Sequence, residues 1–312
     1  MKATLIQDAG AAAAAPGQFF RSPAFFAAEG VTHTLTIEGS EAALLLPVVV
    51  REIEGSDRVD ATSPYGYPGA SEAPSSPPDP GGIDWSATGL VSLFVRDRIG
   101  SEPCLLGGTV RSEVQIADPR QEGGIRKRLR EQIRSNERRG WQAAAEPGPD
   151  VLESDIRAFE AAYAETMERT GASERYLYSS EYFETVLSEP SSWLLLAGRQ
   201  GEGPKAGAIV VTSDGYLHYF LGGTADAGLD ASPMKNLFGA MISLAGELGI
   251  SLNLGGGVTP GDSLDTFKRG FANSSAPFRT HEVICNPAAY EELTAAAPAA
   301  PEAFFPAYRA TP

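Results

Sequence analysis

The stretch from Gly215 to Phe271 constrains this chain most. Tyr216 to Leu221 is an apolar run rich in aromatics and reads as a buried strand. Ser232 is a good N-cap residue, and Pro233 suits the first helical position. Met234, Leu237, Phe238, Met241, Leu244, Ala245 and Leu248 then recur at the spacing of one helix face. Gly249 fits the residue just past that helix. Ile250 to Leu254 reads as a second strand. Gly255, Gly256 and Gly257 follow, where backbone can approach another group closely. Asp262 to Phe271 reads as a short helix or turn that presents Lys268 and Arg269.

A strand–helix–strand unit with a cation at its exit is also compatible with an ordinary crossover and a glycine turn. The particular residues say more. Leu217-His218-Tyr219, the helix, Asn253-Leu254-Gly255-Gly256 and Phe267-Lys268-Arg269-Gly270-Phe271 resemble the second half of the FemAB/FemX family. Members of that family are aminoacyl-tRNA-dependent peptidyltransferases on the GNAT acyltransferase fold. The resemblance spans roughly residues 30 to 285. It implies an α/β (α+β) chain of two GNAT-like subdomains, the first degenerate. It also gives Lys268 the role of the family's matching lysine, at the aminoacyl end of the donor. Tyr219, Gly255, Gly256 and Phe267 become candidate substrate-binding residues beside it.

The net charge is −15, so the surface offers no general attraction to DNA or to an anionic membrane. Any polyanion must meet a local basic patch. No run approaches the length of a membrane span, and Lys2 leads into Asp8 and an alanine-glycine stretch rather than a secretory signal. The expected location is the cytoplasm. Cys104 and Cys285 lie far apart, without metal-ligand or CxxC spacing, so neither a disulfide framework nor a metal is expected. No bound cofactor is expected either.

In the first half, Ala3 to Gln7, Thr32 to Glu38 and Ala43 to Ile53 read as strands. Pro47 points the last of these to an edge or a bulge. Ser22-Pro23 starts a helix that Gly30 stops. Ser92 to Arg96 and Thr109 to Ile116 read as further strands. Tyr65-Gly66-Tyr67 looks like the tyrosine-glycine turn that the family places at its substrate cleft, although tight turns often have this composition. Ala70 to Gly82 reads as a surface loop, with a lid as the alternative. Where many relatives carry a histidine-proline pair after the arginine matching Arg96, this chain has Asp97-Arg98.

Residues 126–139 hold seven Lys/Arg and two Glu. Ile125, Leu129, Ile133 and Asn136 form one helical stripe; Arg126, Arg130, Arg134 and Arg138 form another. Four guanidiniums on one face repel one another unless anions or acids relieve them. Arg130 and Arg134 are therefore candidates for phosphate or tRNA contact, against the plainer reading of a solvated face.

Glu146 to Asp150 (EPGPD) is the expected boundary between an N-terminal subdomain, 1–148, and a C-terminal one, 149–312. Ser154 to Arg169 and Glu181 to Leu187 read as helices, and Trp193 to Ala197 with Ala206 to Thr212 as a hairpin. Tyr163, Met167, Arg169, Tyr176, Tyr178, Tyr182 and Phe183 resemble the helix–loop–helix that opens the family's GNAT unit. Of these, Tyr176 and Tyr178 are the substrate candidates. The tail from Ala295 is expected to be packed by Phe304, Phe305 and Tyr308.

No Ser-His-Asp spacing or P-loop is visible, and His218 reads as structural. Amide formation from an activated ester needs alignment of the amine and a charge opposite the oxyanion. The implied donor is aminoacyl-tRNA, with acyl-CoA as the alternative. Gly222 to Met234 contains glycines but no arginine, and it holds Asp226 and Asp230, which suits a CoA pyrophosphate poorly. A non-catalytic binding module is the reading from another class. The implied acceptor is an amine of a peptidoglycan precursor, a peptide or a small molecule, as in secondary metabolism.

Overall fold

The computed structural model describes residues 1–39, 42–257, 259, 261–297 and 304–310. Residues 298–303 and 311–312 of the expected C-terminal tail lie outside the described set. Contacts divide the chain into two compact units: residues 1–15, 20–111 and 277–312, and residues 16–19 and 112–276. The division therefore falls at 111/112, not at the EPGPD stretch. Glu146 and Pro147 close a strand inside the second unit, and Gly148 lies where a Cβ would stand 2.1 Å from Ser192 Oγ. The proline-glycine composition there serves a tight packed turn rather than a linker.

In the first unit, β1 (Lys2–Ile6), β2 (His33–Glu38), β3 (Leu44–Glu52), β4 (Val59–Thr62) and β5 (Leu90–Arg96) pair in that order. Only the β4–β5 pair is parallel. Pro47 sits opposite Thr34 of β2, and the β4 ladder begins only at Val49, so the missing N–H interrupts no ladder on that side. α1 (Pro23–Glu29) is capped by Ser22 Oγ, which accepts from the Phe25 N–H at 3.1 Å, and ends at left-handed Gly30. Leu35, Ile37, Leu44, Leu46, Leu93 and Val95 build its core.

The second unit holds α2 (Lys127–Arg138), β7 (Trp141–Pro147), α3 (Glu153–Thr170), α4 (Ser180–Leu187), β8 (Ser192–Arg199), β9 (Pro204–Ser213) and β10 (Tyr216–Thr224). α5 (Met234–Glu247), β11 (Ser251–Asn253) and α6 (Ser263–Arg269) complete it. β6 (Thr109–Ala117) and β12 (Ser274–Ile284) each have residues in both units, and α7 (Pro287–Ala296) belongs to the first. The strand order is β6-β11-β10-β9-β8-β7. Alternation along β9 loads both faces: Ala206, Ala208 and Val210 join the core under α5, while Gly207 lies against Phe159 of α3. On the α5 side, Leu195, Leu217, Leu237, Phe238, Met241 and Phe271 are almost fully buried. Each such side chain contributes about 1.5–3 kcal/mol of transfer free energy.

Ser232 is not the cap of α5. It takes a left-handed φ of 51°, and no side chain caps the helix start. β7, β4 and α7 were not anticipated. β7 reads Trp-Gln-Ala-Ala-Ala-Glu-Pro, with little strand preference. It is held by its register against β8, from Trp141↔Arg199 to Pro147↔Trp193. Among the described residues, no helix is long and apolar enough to cross a membrane.

Candidate active site

β10 and β11 run parallel and pair only from Tyr216↔Ser251 to His218↔Asn253. Beyond that point they part. β10 continues beside β9 with a bulge at Phe220, whereas Leu254 and Gly255 turn to Gln115 of β6. A short polar chain locks the parting point. His218 Nε2 lies 3.1 Å from the Ser213 carbonyl, to which it must donate, so its Nδ1 accepts from Asn253 Nδ2 at 3.0 Å. Asn253 Oδ1 in turn accepts the Gly255 N–H at 2.8 Å. Gly255 has φ of 73°, which a side chain would strain. His218 is 1 % exposed with both nitrogens bonded, a structural histidine in this arrangement.

α6 carries the cation back to this point. Asp262 caps it, accepting the Asp265 N–H at 2.7 Å. Phe267 packs on Phe238 and Phe271, with both centroid separations 5.3 Å. The next residue, Lys268, is only 6 % exposed. Its Nζ donates to the Gly256 carbonyl at 2.7 Å and lies 5.4 Å from the centroid of the Tyr219 ring. Burial pulls the ammonium down to about 8, against the opposing pull of Asp262 and Asp265. Burial likewise pushes the Tyr219 phenol up to about 12. The structure therefore brings Lys268, Tyr219, Gly255, Gly256 and Phe267 together. A surface position for Lys268 is not what it shows.

The glycines also have packing duties within the protein. A Cβ on Gly257 would meet Asp262 Oδ1 at 2.3 Å, and one on Gly256 the Glu113 carbonyl at 3.2 Å. Close approach of backbone is needed here for the α6 cap before any ligand is considered.

Tyr176 and Tyr178 belong to a second cluster, in the connection between α3 and α4. The Tyr163 hydroxyl donates to the Tyr176 carbonyl at 2.9 Å, and burial raises that phenol's pKa. Tyr178 stacks on Tyr182 at 4.0 Å. Gly223 of β10 fits against Tyr163, where a Cβ would come within 2.5 Å of its Cα. Tyr65, Gly66 and Tyr67 belong to the first unit. There the Tyr65 N–H donates to Glu29 Oε2 at 2.9 Å, Gly66 has φ of 83° against the Phe20 ring, and Tyr67 meets Phe20 and Phe278 edge-on.

Arg130 and Arg134 are exposed and line a groove of about 940 Å³ between α2, α5 and β7. Glu137 and Glu247 share its wall. None of its lining residues is among those touching Lys268. The apolar stripe Ile125, Leu129 and Ile133 packs onto the core. Asn136, the fourth member, is 4 % exposed and pairs with Asn236 Oδ1 at 2.8 Å and the Ala231 carbonyl at 2.9 Å. Sequence reasoning passed over Asn236 and named Asn253 only as part of a motif, without its bonds to His218 and Gly255. Beyond that motif, the only signal of either asparagine was a polar residue within an apolar stretch.

Residues 123–269 match the acetyltransferase (GNAT) domain family. Residues 123–269 thus carry a GNAT acyltransferase domain, and the chain has a mixed α/β, GNAT-like fold similar to that of FemX. FemX is similar at TM-score 0.62 and 12% identity, over 94% of this chain and 99% of FemX. L-PGS from Bacillus licheniformis is similar at TM-score 0.53 and 13% identity, over 81% of this chain and 84% of that one. A conserved protein of unknown function from Bacteroides thetaiotaomicron reaches TM-score 0.53 at 11% identity, over 88% and 95%. At these identities the likeness concerns the fold. No curated protein matches the chain significantly.

Proposed function

We propose that the chain forms an amide bond between an aminoacyl group carried on tRNA and an amine of a peptide, a peptidoglycan precursor or a small molecule. The observation that supports this best is Lys268, a buried cation beside the parting of β10 and β11. The acceptor amine attacks the ester carbonyl, negative charge grows on the carbonyl oxygen, and the ammonium stabilises it before the tRNA hydroxyl leaves. Gly256 and Tyr219 hold the ammonium in place, so little reorganisation accompanies the reaction. Phe267 anchors the helix that carries it. The arginine face of α2 is the candidate phosphate contact for the donor. Tyr65, Gly66, Tyr67, Tyr176 and Tyr178 remain candidates for substrate binding, in cytoplasmic biosynthesis.

An acyl-CoA donor is the second reading, and one contact favours it. Asp226, an acid of the loop between β10 and α5, is ion-paired with Arg169, which relieves its charge. Purified protein offered charged tRNA or acyl-CoA with candidate amines, with products read by mass spectrometry, decides between them. Amide formed from aminoacyl-tRNA and not from acyl-CoA supports the first reading. Amide formed only from acyl-CoA overturns it. Loss of neither product on Lys268→Met would leave the non-catalytic role of that lysine as the account.

A further inference from the structure

A second polar cluster lies in the first unit and includes none of the residues assigned above. β5 ends at Arg96, and the next residue, Asp97, donates its N–H to the Arg279 carbonyl at 3.1 Å. That pairing sets Asp97 beside His281 of β12, whose Nε2 lies 2.9 Å from Asp97 Oδ2. The connection from β5 to β6 folds back, so that the Cys104 N–H donates to Asp97 Oδ1 at 3.1 Å. Asp97, Cys104 and His281 are 3 %, 5 % and 2 % exposed. One ligand-capable atom from each falls within 4.8 Å of the others.

A hydrogen-bonded node accounts for most of this geometry but leaves one atom idle. Among the described residues, His281 Nδ1 is buried without a hydrogen-bond partner, so the ring is held only through the nitrogen that faces Asp97. Buried imidazole nitrogens are normally satisfied. Gly108 closes over the ring so tightly that a Cβ would stand 2.5 Å from Cε1. The donor set is one thiol, one imidazole and one carboxylate. That combination suits a borderline-soft divalent cation and is poor for calcium or magnesium, which take oxygen.

We propose that Asp97, Cys104 and His281 form a zinc site in the core of the first unit. Bond lengths of about 2.0–2.3 Å put tetrahedral ligand atoms roughly 3.4–3.7 Å apart, so small side-chain shifts suffice. The metal takes His281 through Nε2, so binding breaks that nitrogen's hydrogen bond to Asp97, moves the imidazole proton to Nδ1 and displaces the Cys104 thiol proton to solvent. Thiolate, carboxylate and divalent cation then sum to no net charge, which a buried site favours. The spacing of these residues along the chain matches no metal motif, because strand pairing and a loop return assemble the site.

The test uses the full chain with reduced thiols. Elemental analysis of the purified protein should find zinc bound in a single equivalent. After chelation, cobalt(II) should restore a thiolate-to-metal charge-transfer band in the near ultraviolet. The chain has two cysteines. The band should therefore persist in Cys285→Ser and vanish in Cys104→Ser. Added zinc should raise the melting temperature of wild type and Cys285→Ser, and not of Cys104→Ser. If Cys104→Ser fails to fold, wild type and Cys285→Ser still decide the matter. Protein that retains no zinc and shows no cobalt–thiolate band overturns the proposal and leaves Asp97 as a hydrogen-bond acceptor only. A band lost in Cys285→Ser overturns it too.

Discussion

Lys268 and the arginines of α2 are cations of the same unit, yet they live in opposite conditions. Lys268 is buried, held by one carbonyl and one aromatic face, and its proton affinity is lowered by desolvation. Arg130 and Arg134 stand in solvent along a groove whose wall also carries Glu137 and Glu247. A desolvated charge acts strongly on a charge that forms beside it, because little water intervenes. A solvated one acts at longer range and is screened by salt. The first arrangement suits a reacting centre; the second suits the holding of a polyanion.

The strongest way to break this contrast is to remove the buried charge. Lys268→Met keeps much of the apolar stem and should lower single-turnover transfer roughly 100- to 1000-fold. The lost donor to the Gly256 carbonyl and the relieved desolvation of the ammonium oppose each other, so melting near neutral pH should change little. Lys268→Arg should restore activity only in part, since the broader guanidinium places its charge differently. Wild-type transfer rates in Lys268→Met would return the lysine to a structural role.

The same burial predicts a pH dependence of stability. Lys268 has its pKa lowered from 10.5 to about 8 on folding. Below pH 8 both states hold the proton, and the folded state bears the full desolvation penalty. Between pH 8 and 10.5 the folded state has released its proton while the unfolded state retains it. Wild-type stability should therefore rise relative to Lys268→Met across that window, by up to roughly 3 kcal/mol. Chemical denaturation of both proteins from pH 7 to pH 10.5 reads this directly. Parallel curves would show that the ammonium is not desolvated.

How α2 is seated gives a smaller effect. Asn136 fixes the helix through Asn236 and the Ala231 carbonyl. Asn136→Ala strands buried polar partners and should cost about 1–3 kcal/mol in stability. If melting is unchanged, the exposed arginine face is not anchored as described. Smallest of all, Arg130→Glu with Arg134→Glu should weaken tRNA binding about tenfold at low salt, with the deficit shrinking as salt is raised. Equal binding at low salt would make the face a solvated one.

The strand–helix–strand unit was legible because its signals are local: an apolar run, a helical stripe, a glycine stop. Lys268 was legible as a candidate by resemblance, but its burial was not. Burial arises from the Asp262 cap against Gly257 and from Phe267 seating α6 on Phe238, contacts between segments that propensity does not register. For the same reason β7 escaped notice: its alanines carry little strand signal, and pairing with β8 decides its state. The EPGPD stretch misled in the other direction. Proline and glycine mark a turn, and a turn can be packed inside a unit as readily as between two. The tyrosines at 176 and 178 illustrate a further limit, since spacing names them but only geometry shows one stacked on Tyr182 and the other giving its carbonyl to Tyr163.

The central claim is that Lys268 acts as a cation opposite the forming oxyanion, and the pH profile of single-turnover transfer tests it most directly. Wild type and Lys268→Arg should be compared with the same donor and amine, so that titration of the acceptor affects both alike. The account predicts a wild-type rate that falls, relative to Lys268→Arg, as pH rises through about 8, because the ammonium is lost there while the guanidinium stays charged. A wild-type rate that instead rises through that pH relative to Lys268→Arg would make the neutral amine the active form and contradict the claim.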